Sequence, residues 1–146
     1  LLNRALLTGL GLSESEVKDA ISKAKRNVEE RSQKFADGLN LGPNLSDKIA
    51  IMVDDGLATG YTMFAAVEAA RSESPRQIVV AVPTGSSHAI TFMAKKADLV
   101  VCPNIRAGRA FAVAQAYKRW HDLTDQEVQE LLIQAKDMGL TSITSD

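Results

Sequence analysis

A chain of 146 residues, 45% apolar and 24% charged, has the size and composition of one globular domain with a single core. Its net charge of −1 gives no electrostatic reason to expect nucleic acid or an anionic membrane as partner, and no apolar run approaches the roughly 20 residues that span a bilayer. The lone cysteine, Cys102, cannot close an internal disulfide, sits in an apolar run and reads as structural in a cytoplasmic protein. The opening Leu1-Leu2-Asn3 has neither a methionine nor a basic leader, so the chain reads as cut from something longer.

The first element is a helix opened by the capping box Ser13-x-x-Glu16 and running to about residue 36. Val17, Ala20, Ile21, Ala24, Val28 and Phe35 recur at helical spacing and form its expected inner face. Glu14/Lys18, Asp19/Lys23 and Glu30/Lys34 are i,i+4 pairs on the expected solvated face. Gly38 can stop the helix, and Gly42-Pro43-Asn44 turns the chain toward a strand at 49–53. A small-residue loop and a helix over 62–71 follow, and Ser74-Pro75 interrupts before a second strand at 78–82. Pro83-Thr84-Gly85-Ser86-Ser87 reads as a loop, with Ser86 or Ser87 as helix cap for 89–95. A third strand covers 99–102, a loop 103–108, and a helix 110–117. The last helix spans 124–138, opens on Thr124-x-x-Glu127, and turns Val128, Leu131, Leu132 and Ala135 inward; the tail 141–146 reads as loose. Alternation of strand and helix predicts an α/β fold with parallel strands and right-handed crossovers. The expected organisation is one domain over 1–146: an N-terminal helical segment (1–47), a core (48–103) and C-terminal helices (104–146).

The chemistry concentrates at the end of the first strand. An uncharged run, Ile49-Ala50-Ile51-Met52-Val53, ends in Asp54-Asp55, followed by Gly56-Leu57-Ala58-Thr59-Gly60-Tyr61-Thr62 and a helix. The carboxyl end of a parallel strand is where ligands sit in open α/β sheets, and backbone amides at a helix N-terminus seat a phosphate. Ionised Asp54 and Asp55 only accept hydrogen bonds, so they should face hydroxyls or a cation. A sugar phosphate meets both demands. A receiver domain does not fit, because Asp98 stands at the beginning of its strand, and a Walker ATPase does not fit, because no Gly-x-x-x-x-Gly-Lys is present. His88 and His121 have no Cys/His cluster around them.

The segment from Asp54 to Thr62 resembles the phosphoribosylpyrophosphate (PRPP) motif of the type I phosphoribosyltransferases, two acids and a phosphate loop ending in Thr-Gly-x-Thr. The stretches 3–16, 80–83, 97–103 and 117–128 resemble one branch of that family, whose acceptor is not established. The resemblance implies a three-layer, doubly wound parallel sheet, truncated before Leu1 of the portion carrying the pyrophosphate loop and a mobile catalytic loop. It implies transfer of the 5-phosphoribosyl group to a nitrogenous acceptor, with pyrophosphate released. Asp54 and Asp55 would be the catalytic pair, binding the 2′ and 3′ hydroxyls and favouring the charge of an oxocarbenium-like transition state. The 5′-phosphate would lie on Gly56, Leu57, Ala58, Thr59, Gly60, Tyr61 and Thr62. Mg²⁺ would arrive with PRPP, held mainly by pyrophosphate and ribose oxygens and water, with Asp54 and Asp55 as the candidate protein ligands. Ala58 stands where enzymes acting on 6-oxopurines place an acid, which disfavours hypoxanthine or guanine; the run from Leu57 to Met63 is locally closer to adenine phosphoribosyltransferase. The alternative is a regulatory module that binds PRPP or a nucleotide without transferring. A homo-oligomer is compatible with either. Thr84–Ser86 and Ser87 could meet ribose, pyrophosphate or acceptor, or only cap a helix. Arg106 and Arg109 could bind an anion or stay solvated; Phe111, Tyr117 and Trp120 could wall a flat base or pack in the core.

Overall fold

The computed structural model describes residues 9–36, 45–108 and 111–138. Gly38, the turn at 42–44, Arg109, Ala110, the tail at 141–146 and the residues 3–8 of the first matching stretch lie outside the described residues. The chain divides into two compact units, Asn44–His121 and Leu1–Pro43 with Asp122–Asp146.

In the central unit, β1 (Ile49–Val53) pairs in parallel with β2 (Gln77–Ala81), with Ala50 opposite Ile78 and Met52 opposite Val80. β2 pairs in parallel with β4 (Leu99–Val101), giving the order β1-β2-β4. Helices α2 (Tyr61–Arg71) and α3 (Ser87–Met93) make the crossovers. The parallel α/β architecture is therefore the one the alternating pattern predicts. Met63, Val67 and Ala70, spaced to share one face of α2, join Ala50, Ile78 and Val80 from the strands and Ala89 and Met93 from α3 in one buried core. The opposite face of the sheet is covered less. Ile49, Ile51, Val53, Leu99 and Val101 are exposed, Val53 to 75%. Asp98 joins the strands at the start of β4: its carboxylate accepts from the Ile78 amide at 2.7 Å, and its own amide donates to the Ile78 carbonyl.

Two expected loops contain strand instead. Thr84–Ser86 forms β3, fully buried, and pairs in parallel with β5 (Asn104–Arg106). Three-residue strands of Thr-Gly-Ser and Asn-Ile-Arg carry no period-2 signal, so only backbone pairing reveals them. Residues 110–117, expected as a helix, hold a short 3₁₀ helix at Val113–Ala116, after which Tyr117 is extended. So short a segment has little helical stability of its own, and its first residue, Val113, lies against Gly56 in the loop after β1.

The other unit contains α1 (Glu14–Ala36) and α4 (Asp125–Asp137). Both open on the predicted capping boxes, with Glu16 accepting from the Ser13 amide at 2.9 Å and Glu127 from the Thr124 amide at 2.7 Å. Lys34 and Arg31 of α1 both reach Asp125 at the start of α4. Of the expected inner face of α1, Val17, Ile21 and Phe35 are half-buried, whereas Ala20, Ala24 and Val28 are exposed. On α4, Val128, Leu132 and Ala135 are half-buried and follow the i, i+4, i+7 stripe, while Leu131 lies beside it and is 52% exposed. Among the described residues no helix is long and apolar enough to cross a membrane.

Candidate functional site

β1 delivers Asp54 and Asp55 to the carboxyl end of the sheet. Asp54 is half-buried, and Asp55 is exposed and donates its backbone amide to Asp54 Oδ1 at 2.9 Å. Asp54 lines a pocket of about 140 Å³ together with Gly56, Leu57, Ala58, Thr59, Gly60, Thr62, Met63 and Val113. Asp55 and Tyr61, both predicted site residues, do not line it. The Tyr61 ring turns to Phe92, 5.6 Å away between centroids. Such a volume falls below the roughly 300–1,000 Å³ of sites that enclose a whole small molecule, so it seats one part of a ligand.

The loop is held from behind by β3. The Leu57 amide donates to the Thr84 carbonyl at 3.0 Å, and the Ser86 amide donates to the Leu57 carbonyl at 2.9 Å. Ser86 acts on both sides, its hydroxyl donating to the Ala58 carbonyl at 2.8 Å and accepting from the Ala89 amide as the cap of α3. Through these bonds the Thr84-Gly85-Ser86 stretch supports the loop after β1. They also engage the Leu57 amide, expected to face phosphate, while the Leu57 side chain belongs to the core.

Beyond Leu57 the loop is freer. Gly60 caps α2 with φ of 81° and without a side-chain hydrogen bond, and the first turn of α2 carries no acid. A left-handed residue at this point favours glycine. In contrast, α1 and α4 carry two acids each in their first turns. The positive end of α2 is thus left without a protein carboxylate of its own turn, and Thr59 and Thr62 stand beside it on the pocket wall.

The acids repel one another in this setting. Partial burial first, and the charge of Asp54 second, push the Asp55 carboxyl above its ordinary value of 3.8. A cation or a hydroxyl-bearing ligand would relieve that. Carboxylate oxygens suit Mg²⁺, but no group of three or more His, Cys, Asp or Glu side chains converges to hold a metal among the described residues. This donor set fits an ion that brings most of its own ligands.

A distant segment closes the site's other side. Tyr117 donates its hydroxyl to the Asp55 carbonyl at 2.7 Å, and its ring lies 5.3 Å from that of Trp120. A Cβ on Gly56 would meet Val113 Cγ1 at 2.8 Å and Thr84 Cγ2 at 3.0 Å. The role of Val113 had no sequence signal, since it lies more than fifty positions from the loop it touches. Arg106 is exposed on β5 in register with Ser86, and His88 is exposed in the first turn of α3. Cys102 is half-buried, its thiol 3.7 Å from the Asn104 carbonyl.

The family described as "Phosphoribosyl transferase domain" matches residues 3–118 of this chain. The chain belongs to the phosphoribosyltransferase family. Two Mycobacterium tuberculosis proteins, "Putative phosphoribosyl transferase Rv0571c" and "Putative phosphoribosyl transferase MT0597", are 34% identical to it over 134 residues. The match covers 92% of this phosphoribosyltransferase chain and 30% of each of theirs, so the chain spans less than a third of those relatives. The crystal structure of TT1426 from Thermus thermophilus superposes with a TM-score of 0.69 at 27% identity, covering 86% of this chain and 59% of that one.

Proposed function

We propose that this phosphoribosyltransferase domain binds PRPP, or a nucleoside 5′-monophosphate, and provides the sugar-phosphate half of a site that transfers the phosphoribosyl group to a nitrogenous acceptor. One observation carries the reading: Asp54, Thr59, Thr62 and the open N-terminus of α2 border one pocket at the carboxyl end of β1. The 5′-phosphate takes the amides and hydroxyls of Ala58 to Thr62, and the helix end favours its charge. Asp54 and Asp55 accept hydrogen bonds from the ribose hydroxyls. As the bond to pyrophosphate breaks, positive charge grows on the ribose, and the two carboxylates stabilise it electrostatically. Mg²⁺ supplies charge neutralisation for the pyrophosphate when bound. The protein acts in the cytoplasm.

Asp54→Asn tests this in the full-length protein. Mg²⁺-dependent PRPP binding, followed by calorimetry, should weaken at least tenfold, about the loss for one charge-assisted hydrogen bond, with the thermal midpoint preserved. Unchanged binding would reject the site. Tight PRPP binding by the unsubstituted protein with no consumption, across a panel of nitrogenous acceptors, would favour the regulatory module.

A further inference from the structure

The backbone at Asp55 and Gly56 is held from several directions, by Tyr117 and Thr84, which do not line the pocket, and by Asp54 and Val113, which do. Tyr117 donates its hydroxyl to the Asp55 carbonyl at 2.7 Å. The Val113 methyls and the Thr84 methyl leave no space for a side chain on Gly56. The Asp55 amide, in the preceding peptide, donates to Asp54 Oδ1. Tyr117 is itself seated: its amide donates to the Ala114 carbonyl at 3.2 Å, and its ring rests by Trp120.

Given these contacts, we infer that Tyr117 is a positioning residue of the sugar site, fixing through the Asp55 carbonyl the direction in which the two carboxylates meet the ribose hydroxyls. The inference rests on the sugar-phosphate reading above and adds a residue to it. A peptide plane with one free carbonyl can rotate, and the acid attached to it turns as well. A hydroxyl donating to that carbonyl removes this freedom before ligand arrives, which is the economy of a preorganised site. Tyr117 touches neither phosphate nor sugar in this scheme; it acts only through Asp55. Its contacts with Asp55 and with Trp120 explain why a half-exposed tyrosine is oriented toward the loop.

The test compares the full-length protein with Tyr117→Phe, which keeps the ring and removes the hydroxyl. Three probes are titrated in the presence of Mg²⁺: ribose 5-phosphate, 2-deoxyribose 5-phosphate and inorganic phosphate. Tyr117→Phe should bind ribose 5-phosphate about fivefold more weakly, the worth of one net hydrogen bond. It should bind 2-deoxyribose 5-phosphate and phosphate as before, so the preference for the intact diol shrinks. An equal loss for all three probes would mean that the hydroxyl only holds the loop together, and no loss for ribose 5-phosphate would mean that it does nothing for the sugar. Either overturns the inference. If the unsubstituted protein does not prefer ribose 5-phosphate over its deoxy form, the sugar-site reading fails first, and Tyr117 falls with it.

Discussion

Asp54 and Asp55 are adjacent in sequence but sit in different environments, one half-buried and the other exposed. Asp54 borders the pocket, while the Asp55 carboxyl is pushed upward by partial burial and by its neighbour. An acid whose folded pKa is raised destabilises only in its ionised form. The penalty is absent below about 3.8, its ordinary value, and sets in as pH rises through the raised one. Asp55→Asn should therefore raise the thermal midpoint at pH 7, and the gain should vanish on acidification toward pH 3.8 and below; scanning calorimetry across that range checks the sign. Gly56 is limited by space. Gly56→Ala forces a methyl to within 3.0 Å of Val113 and Thr84, and overpacking of that kind costs about 1–3 kcal/mol, readable by urea unfolding. The family was legible in the sequence because the acid pair, the small-residue loop and Thr-Gly-x-Thr stand together after one apolar strand, and the family model matches that stretch. The partners of Gly56 were not, since a glycine states that room is scarce without naming the neighbour.

At the level of elements, the sequence spoke most clearly where local chemistry sufficed. Ser13/Glu16 and Thr124/Glu127 identified two helix starts, because a capping box is complete within four residues. Thr124→Ala should destabilise α4 by about 1 kcal/mol, seen as lost helicity by circular dichroism on heating. β3 and β5 went unread for the converse reason: each is three residues long, and its identity lies in a partner some twenty positions away. Ser86 illustrates both cases. Its capping of α3 was foreseeable, but its second bond, to the Ala58 carbonyl, joins two loops that sequence spacing does not relate. Ser86→Ala removes both bonds, and at about 1–2 kcal/mol the loss should register as a lower denaturation midpoint together with weaker phosphate binding.

Across the whole central unit, stability is asymmetric. Ile78 on β2 is fully buried in the core, while Ile51 on β1 is 62% exposed. Ile78→Ala should cost about 2–5 kcal/mol, and Ile51→Ala less than about 0.5 kcal/mol, in the same denaturation experiment. Hydropathy alone cannot tell a covered face of the run 49–53 from an open one; exposure at Ile49, Ile51 and Val53 emerges only once α2 and α3 are seen to pack on the same core. The bonds from β3 to Leu57 have a consequence for how the loop after β1 moves. The Leu57 and Ser86 amides, each locked to a carbonyl, should exchange their hydrogens for deuterium slowly even without ligand. Those of Ala58 and Thr62, bordering the pocket beyond that latch, should exchange quickly until an anion arrives to shield them, so the loop is a rigid hinge-post carrying a receptive tip.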